Sequence, residues 1–426
     1  MDGYYAFMLV ATALVLVMTV PALALFYGGM TRSKSVLNMM MMSFVAFGIA
    51  SIVMVLWGWS EGWGADGVGN GNGKLIADPF TMWGLDGVTS ANYIFVIFQL
   101  TFAAITVALI SGAIADRVRM LAWVVFIPVW LTLCYFPVAH NVWGGGWLAD
   151  KLSGGSTVPQ DYAGGTVVHI NAGIAGLVLV LVIGKRIGFG REPMRPHNLT
   201  LTMIGAGMLW FGWYGFNVGS IVFTGKTEAD NVKQFMSETG VTFLNTTIAT
   251  AAAMLAWLLV ERLVHGKATS LGAASGVVAG LVAITPACGA VTLTGAIIVG
   301  VVAGALCALA VGLKYKLGYD DSLDVVGVHL VGGLVGTLLI GFLSSSSAPG
   351  GIDGLFYGGG LASLGDQILA ALFTIVWTGV LTAGIAVAIK VTIGWRVTEE
   401  AEVDGIDGDQ HGESAYDLAG GTGVLA

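Results

Sequence analysis

Residues 167–176 read Val-Val-His-Ile-Asn-Ala-Gly-Ile-Ala-Gly, and residues 327–336 read Gly-Val-His-Leu-Val-Gly-Gly-Leu-Val-Gly. Both stretches follow the pattern His-x-x-x-Gly-x-x-Gly, and each lies inside an apolar segment. An ionisable side chain in the middle of a long apolar segment is energetically costly and indicates a functional role. The repeated pattern therefore predicts that His169 and His329 occupy equivalent places in an internally duplicated fold.

The sequence around these stretches is that of a membrane protein. Hydrophobic residues make up 56% of the 426 residues and charged residues only 10%, against roughly 25% charged in a typical soluble domain. This composition excludes a soluble globular protein and predicts an all-α polytopic membrane protein, whose spanning helices each need about 20 apolar residues. Eleven segments meet this requirement, at residues 5–27, 36–58, 93–115, 121–138, 163–184, 199–223, 241–260, 270–288, 291–313, 325–343 and 365–394.

The two histidine stretches fall in the fifth and tenth of these segments. Because five is an odd number, the second set of five spans must cross the membrane in the opposite direction to the first. Many transporters are built from such inverted repeats, with the pathway near the midplane between them. We therefore expect a membrane domain over residues 1–395, with inverted repeats at about 5–184 and 199–343 and an eleventh helix at about 365–394. The fourth, eighth and tenth segments are short, so we expect them to be tilted or broken.

The distribution of basic residues predicts the orientation. With the N-terminus outside, 14 of the 18 lysines and arginines fall in the inner loops and the C-terminal tail, and 4 fall in the outer loops. Basic residues accumulate on the cytoplasmic side of membrane proteins. The bias predicts an outside N-terminus and a cytoplasmic C-terminus, with residues 59–92 and 224–240 as outer loops.

Within the predicted cytoplasmic tail, residues 396–426, the part that follows Arg396 carries the whole net charge of −8. It holds eight acidic residues and, after Arg396, no lysine or arginine, so the 18 acids elsewhere balance the 18 bases. The chain therefore offers no basic face for nucleic acid.

An aspartate precedes each histidine stretch, Asp161 in the first and Asp324 in the second. Asp161 lies eight residues, about two helical turns, before His169. Its carboxylate either attracts a cation at the outer mouth of the fifth span or caps the N-terminus of that helix. The histidines also have two interpretations. They form a pair of imidazoles, one from each repeat, that passes protons, or they are separate core residues, each satisfied by a carbonyl.

Aromatic residues cluster near the predicted outer end of the histidine segments. Phe102 lies in the third segment, Trp143 follows the fourth, and the sixth contains Trp213 and Phe216, with Ser220 one turn beyond. Interfacial tryptophans usually form the membrane belt, but a desolvated aromatic cluster also binds small cations, by about 2 kcal/mol or more. A neighbouring hydroxyl adds a hydrogen-bond acceptor for an N–H donor.

Other chemistries have little support in the sequence. The three cysteines show neither disulfide pairing nor zinc-site spacing. No nucleophile–base pair is apparent, so we expect no enzyme activity, no metal and no cofactor. Small residues four apart, such as Gly300 and Gly304, indicate close packing between helices.

The stretch from Asp161 to Gly173 resembles the signature of the Amt family of bacterial ammonium transporters, which are related to the Rhesus proteins. The resemblance extends over essentially the whole chain. Further motifs that carry it are Phe26-Tyr27-Gly28-Gly29, Pro196-His197-Asn198, Gly215-Phe216-Asn217, Thr285-Pro286-Ala287-Cys288-Gly289 and Gly327-Val328-His329.

The resemblance implies an outer substrate site. Trp143, Phe102 and Ser220 resemble the residues that hold ammonium by cation–π contact and a hydroxyl. Asp161 is similar to the buried acid that the family places near this site. Phe102 and Phe216 resemble the stacked pair that closes the pore below it.

The resemblance also implies a hydrophobic pore lined by His169 and His329, with Trp213 and Thr285 in the pore region. Ammonium would be captured outside, deprotonated and conducted as ammonia, while the proton crosses separately. Two alternatives stay open: an electroneutral ammonia channel, and an ammonium sensor that signals through the tail.

The family is homotrimeric, with one pore per subunit, and works in the cytoplasmic membrane. The tail resembles the family's regulatory tail, which abuts neighbouring subunits and precedes docking of a PII signal protein; a plain solubility role is the alternative. The tail residues of interest are Arg396, Gly405, Asp407, His411, Gly412 and Tyr416.

Overall fold

The structure, a computed structural model, describes residues 2–63, 73–149 and 158–416. Parts of two predicted outer loops and the last ten residues of the predicted tail, 417–426, lie outside this description. The described residues are helical, with two isolated β-bridges and no strand. The predicted all-α fold is therefore confirmed.

The apolar helices run nearly end to end along the chain. Nine helices in the described residues are long and apolar enough to cross a membrane. The bounds are α1 Gly3–Met30, α2 Val36–Trp63, α3 Ser90–Ile114, α4 Met120–Ala149, α5 Gly165–Ile183, α6 Leu199–Val218, α7 Glu228–His265, α8 Ser270–Ile284, α9 Leu293–Leu317, α10 Val326–Leu343 and α11 Ala362–Thr392. Helices α6 and α8 are not among the nine, and α8 has only 15 residues. Two short helices follow in the tail, α12 Glu399–Asp404 and α13 Ile406–His411.

Two predicted boundaries are wrong. Helix α7 begins at Glu228 rather than at residue 241, because the Thr227 side chain accepts a hydrogen bond from the Asp230 amide and caps the helix. Most of the predicted outer loop 224–240 is therefore helical. The fourth segment is also longer than predicted, since α4 continues past polar residues such as Asn141, whose amide group donates to two backbone carbonyls.

Helices α5 and α10 each contain one wide π-helical turn, at Gly165–Ile170 and Val326–Leu330. These turns hold His169 and His329 at matching positions. Single π-turns in helices are frequent at functional sites. Helices α1, α2 and α4 also contain a π-turn, so what the two histidine stretches share is the matching position of the turn at the histidine.

The same two helices cross at very close range. A Cβ atom on Gly173 would lie 2.5 Å from the Leu330 amide nitrogen, and one on Gly333 would lie 3.1 Å from both the Gly165 carbonyl oxygen and the His169 Cβ. Residues later in α5 thus face residues earlier in α10. The two helices therefore pass each other in opposite directions, as an inverted repeat requires.

Glycines also set the packing of α9 against α7. Cβ atoms on Gly300 and Gly304 would run into the backbone carbonyls of Ala249 and Ala253 respectively. The predicted packing role of this small-residue pair is confirmed, and it reflects the close backbone approach that dispersion forces favour in membranes.

A buried ion cluster joins the loops at one end of the bundle. Arg186 lies 2.8 Å from Asp320 and 3.3 Å from Asp116, and Arg117 lies 3.9 Å from Asp320. Burial by itself would raise the pKa of the Asp320 carboxyl. The hydrogen bonds and charge of Arg186, together with the charge of Arg117, outweigh burial and hold this pKa below that of an ordinary aspartate. A lowered carboxyl pKa stabilises the fold above the unfolded pKa, and this contribution is lost as the pH falls. The cluster therefore stays ionised and ties three loops together.

Glycine packing gives a direct test of the fold. A Cβ atom on Gly336 of α10 would overlap the Ala283 carbonyl of α8, whereas a Cβ on Gly384 of α11 meets nothing within 4 Å. We expect Gly336→Ala to destabilise the protein by about 1–3 kcal/mol through overpacking. The matched control Gly384→Ala should leave the apparent Tm unchanged or raised. Heating the detergent-solubilised protein and measuring the remaining monodisperse fraction checks both; equal Tm values for the two variants would contradict this packing.

Candidate functional site

A cavity of about 500 Å³ opens between the ends of α1, α2, α3, α4 and α6. Phe102, Trp143 and Ser220, which the sequence analysis groups into one outer site, all line it. The structure thus brings three residues from distant parts of the chain onto one cavity wall.

Two stacked phenyl rings lie at the inner end of this cavity. The Phe102 ring meets the Trp143 ring edge-to-face, with centroids 5.9 Å apart, and stacks on the Phe216 ring at 4.1 Å and 9°. Phe216 is 0% exposed and, unlike Phe102, does not line the cavity. The stacked pair therefore separates the cavity from the interior beyond Phe216.

Polar groups on the cavity wall are oriented to accept hydrogen bonds. The Ser220 hydroxyl donates to the Phe216 carbonyl at 2.8 Å, which leaves its oxygen lone pairs free to accept. The side-chain carbonyl oxygen of Gln99, also on the wall, is buried and has no partner among the described residues. Gln99 is not among the residues predicted from the sequence, although its position about one helical turn before Phe102 places it on the same face of α3.

Further aromatic residues line the cavity. Trp59 and Trp63 stack with centroids 5.0 Å apart, and their i,i+4 spacing in α2 was the sequence signal for a shared face. Tyr162 donates to Glu238 at 2.8 Å, and burial raises the pKa of Tyr162 well above its usual value. The Tyr162 hydroxyl therefore stays protonated and gives the cavity no negative charge of its own.

The Asp161 carboxylate caps helix α5. It accepts hydrogen bonds from the backbone N–H groups of the four residues 164–167 and from the Thr166 hydroxyl. Asp161 does not line the cavity. Its backbone carbonyl accepts the indole N–H of Trp143 at 2.8 Å. Asp161 thus caps α5 with its carboxylate and orients Trp143 with its backbone carbonyl. Direct contact between the Asp161 carboxylate and a cation stays a prediction.

Asp321, and not the Asp324 that precedes the second histidine stretch, holds the capping place in α10 that Asp161 holds in α5. Asp321 accepts the amides of Val325 and Val326 at the start of α10, whereas Asp324 forms an ion pair with Lys314 at 2.7 Å. The spacing gives the physical reason. Asp321 precedes its histidine by eight residues, as Asp161 does, and that separation places a carboxylate at the helix start and the histidine two turns inside.

His169 and His329 meet beyond the phenyl pair. Their Nδ1 atoms are 3.3 Å apart, and the residues are 1% and 3% exposed. A hydrogen bond between two ring nitrogens requires one donor and one acceptor, so two neutral rings hold one Nδ1 proton between them. Nε2 of His169 has no partner among the described residues. The structure therefore joins the imidazoles to each other at Nδ1 and not to separate carbonyls.

Trp213 and Thr285 support this pair from one side. The Trp213 ring stacks on the His169 ring, with centroids 5.5 Å apart, and its N–H donates to the Thr285 hydroxyl at 2.7 Å. That hydroxyl in turn donates to the Leu281 carbonyl at 2.7 Å. Both predicted pore-region residues thus hold the His169 ring in place, one directly and one through the indole.

The rings form one continuous column. From Trp143 to Phe102, Phe216, His169 and His329, successive ring centroids lie 5.9, 4.1, 6.3 and 5.4 Å apart. An apolar, water-poor column of this kind opposes entry of an ion far more than entry of a small neutral molecule.

The predicted regulatory tail packs on the opposite end of the bundle from Asp161. Arg396 forms an ion pair with Glu402 and donates to the Lys185 carbonyl at 2.6 Å. Glu402 accepts the Ile187 amide at 2.7 Å. These contacts fix the start of the tail to the loop that follows α5.

The rest of the described tail contacts other loops. The Asp407 carboxylate accepts the amides of Leu37 and Asn38, at 3.0 and 2.8 Å, and so caps α2. His411 contacts the Asn38 side chain at 3.0 Å. Gly405 precedes α13 and Gly412 follows it, with φ of +125° and +66°. Positive φ values of this kind favour glycine.

Tyr416, the last described residue, contacts His197. The Tyr416 hydroxyl lies 2.9 Å from His197 Nε2, and His197 Nδ1 lies 2.9 Å from the Thr31 carbonyl. Five of the six predicted tail residues thus contact loops or helix ends elsewhere in the chain, and Gly412 turns the chain after α13.

The comparisons with known proteins agree with one another. The family model described as the Ammonium Transporter Family matches residues 6–416. An ammonium transporter of Mycobacterium tuberculosis (strain H37Rv) is 52% identical, with 99% of this chain and 92% of that protein covered. An ammonium transporter of Aquifex aeolicus is 45% identical, with 98% and 94% covered. A solved structure titled Sensor Amt Protein is 26% identical, has a TM-score of 0.83, and covers 96% of this chain and 98% of its own.

The Asp161 cap gives a testable prediction. Asp161→Asn replaces an acceptor-only group with an amide whose NH₂ faces backbone donors, so we expect a stability loss of about 1–3 kcal/mol. Thermal unfolding in detergent measures the loss, and Asp86→Asn, at an exposed outer-loop acid, is the matched control. An unchanged Tm together with weakened cation binding would assign Asp161 to the substrate instead of the cap.

Proposed function

The chain belongs to the ammonium transporter family, and from that premise we propose that it takes up ammonium across the cytoplasmic membrane. The observation that carries the proposal is the ring column, which leads from an aromatic cavity past a stacked phenyl pair to two joined imidazoles. Its homologues are named as transporters, and we propose transport, not catalysis of a reaction, as its activity.

The proposed topology has eleven spans with the N-terminus outside and the C-terminus in the cytoplasm. Helices α1–α5 and α6–α10 form the inverted repeats, α11 follows, and the tail begins near residue 396. The antiparallel crossing of α5 and α10, together with the matching π-turns and aspartate caps, supports this arrangement. The basic-residue bias supports the orientation.

The outer cavity is the proposed capture site. The faces of Trp143 and Phe102 attract a desolvated cation by about 2 kcal/mol or more. Ser220 accepts a hydrogen bond from one ammonium N–H group, and the carbonyl oxygen of Gln99 is placed to accept another. Because potassium has no N–H to donate, these acceptors favour ammonium by direction as well as by charge.

Selectivity over potassium then arises at the phenyl pair. Ammonium and potassium are of similar size and charge, so a pore that simply passed cations would not separate them. A buried, ring-lined pore makes entry of either ion costly. Ammonium alone gives up a proton and continues as neutral ammonia, past Phe102 and Phe216 to His169 and His329.

The proton is proposed to cross separately, along the histidine pair. The two neutral imidazoles are joined through Nδ1. When His169 gains a proton at Nε2, it passes its Nδ1 proton to Nδ1 of His329, and His329 releases a proton from its own Nε2. Net charge then moves with each ammonium. If the proton returns outside, the protein is an electroneutral ammonia channel instead.

The subunit is proposed to form a homotrimer with one pore per subunit, and the tail to bind a PII-type signal protein. The contacts of Asp407 with the start of α2, and of Glu402 and Tyr416 with the loop at 184–198, support a regulatory tail, since displacing the tail would expose the α2 N-terminus and the ion cluster. A tail kept only for solubility needs no such specific contacts.

An ammonium sensor is the second candidate. One structural neighbour is titled Sensor Amt Protein. A sensor with this fold would bind ammonium in the same cavity, carry little flux, and report through the tail.

The first experiment is a current measurement. We expect an ammonium concentration jump to produce a transient current in proteoliposomes on a solid-supported membrane, and a potassium jump to produce none. If ammonium gives no current, internal pH recording on the same vesicles distinguishes an ammonia channel, which alkalises the lumen, from a sensor, which leaves it unchanged.

Substitutions in the column test the selectivity mechanism. We expect Phe216→Ala and His169→Ala each to lower the ammonium-to-potassium current ratio by about tenfold, equivalent to about 1.4 kcal/mol, because each opens the column to water. Matched controls are Phe211→Ala, at a 62% exposed phenylalanine on the same helix, and His265→Ala, at an exposed histidine. Unaltered selectivity in both test variants would reject the mechanism.

A further inference from the structure

A second cavity, of about 340 Å³, lies on the tail side of the bundle, between residues 31–35, the loop at 184–198 and the tail. Its wall includes three cationic side chains, those of Arg32, Lys34 and Arg195, and none of the described residues on the wall is acidic. The ring column and the outer cavity involve none of these residues.

Two of the cations are free to bind an anion. Neither Lys34 nor Arg195 has an ionic or hydrogen-bonded partner for its side chain among the described residues. Both residues are exposed, and both line the cavity. Arg32 donates one hydrogen bond to the Asp116 carbonyl at 3.2 Å, and its Nε lies 3.9 Å from the Asp116 carboxylate, which Arg186 approaches more closely at 3.3 Å. The described residues on the cavity wall therefore carry net positive charge.

A buried polar group also lies on this wall. Ser35 is 1% exposed, and its hydroxyl has no hydrogen-bond partner among the described residues. A buried hydroxyl without a partner is costly unless a ligand or ordered water completes it. An oxyanion in the cavity would accept a hydrogen bond from this hydroxyl.

The loops that form the cavity are held in place. His197 joins residues 31–35 to the tail, because its Nδ1 contacts the Thr31 carbonyl and its Nε2 contacts the Tyr416 hydroxyl, both at 2.9 Å. Gly405 packs on Lys34, where a Cβ atom would lie 2.5 Å from the Lys34 Cβ. The cavity therefore depends on a docked tail.

We propose that this cavity binds a phosphate group, held by Arg195, Arg32 and Lys34 and by the Ser35 hydroxyl. Guanidinium groups match phosphate oxygens in geometry, and charge-assisted hydrogen bonds of this kind are strong. Inorganic phosphate and the headgroup of an anionic lipid share this chemistry. The site is independent of the proposed transport activity.

The surroundings restrict the ligand to a small one. An adjacent cavity of about 450 Å³ shares Lys34 and Gly405 but is lined by five acidic residues, Glu400, Asp404, Asp407, Asp409 and Glu413. A long polyphosphate would extend toward these carboxylates and be repelled. A single phosphate group fits the charge pattern.

The test uses the purified full-length chain in an uncharged detergent. Inorganic phosphate is titrated at low ionic strength, and binding is followed by ³¹P line broadening. We expect saturable binding that weakens about tenfold or more in Arg195→Gln and severalfold in Ser35→Ala. Arg191→Gln is the matched control, since Arg191 is an exposed arginine of the same loop that does not line the cavity.

A second arm distinguishes the two sources of phosphate. Short-chain phosphatidylglycerol is titrated against phosphatidylcholine, with retained lipid counted by native mass spectrometry. Arg195-dependent binding of phosphatidylglycerol without binding of inorganic phosphate supports the site and assigns it to a lipid headgroup. If neither probe binds saturably, or if Arg191→Gln weakens binding as much as Arg195→Gln, the proposal is overturned.

Discussion

The close crossing of α5 and α10 is the constraint on which the rest of the molecule depends. Gly173 and Gly333 let the backbones of α5 and α10 approach very closely. The histidine one turn before each glycine is therefore near the opposite helix. His169 and His329 consequently join at Nδ1. Any Cβ at those glycines would push the helices apart, and each imidazole would then lose its partner in a buried interior, where an unpaired polar nitrogen is costly.

The aromatic residues near the histidines fall into two groups, one that lines the open cavity and one that is buried below it. The outer rings surround an open cavity with polar acceptors, whereas the stacked rings of Phe102 and Phe216 are buried and offer none. Trp213 fixes the histidine side of the column and is itself fixed by Thr285. The cavity with polar acceptors and the buried apolar rings are thus neighbouring parts of one continuous wall.

Charge is concentrated away from this column, at the end where the tail docks. Asp320 and Arg186 form the centre of a buried ion cluster, and buried charges of this kind are tolerated because each is paired. The tail adds Glu402 and Asp407, which accept backbone amides of two different loops. A change in the docked tail would therefore alter hydrogen bonds at the start of α2 and at the end of α5, the helix that carries His169.

The sequence by itself determined the membrane class, the all-helical fold, and the pattern that picks out His169 and His329, because hydropathy and residue spacing are local properties. It did not single out Asp321 as a cap and began the seventh segment at residue 241 instead of Glu228, since a cap depends on which backbone amides lie free in the folded chain. Only the tertiary structure decided that Asp321 caps α10, that the rings form one column, and that Gln99 faces the cavity. These features join residues far apart in the chain, and helix packing alone sets the distances between them.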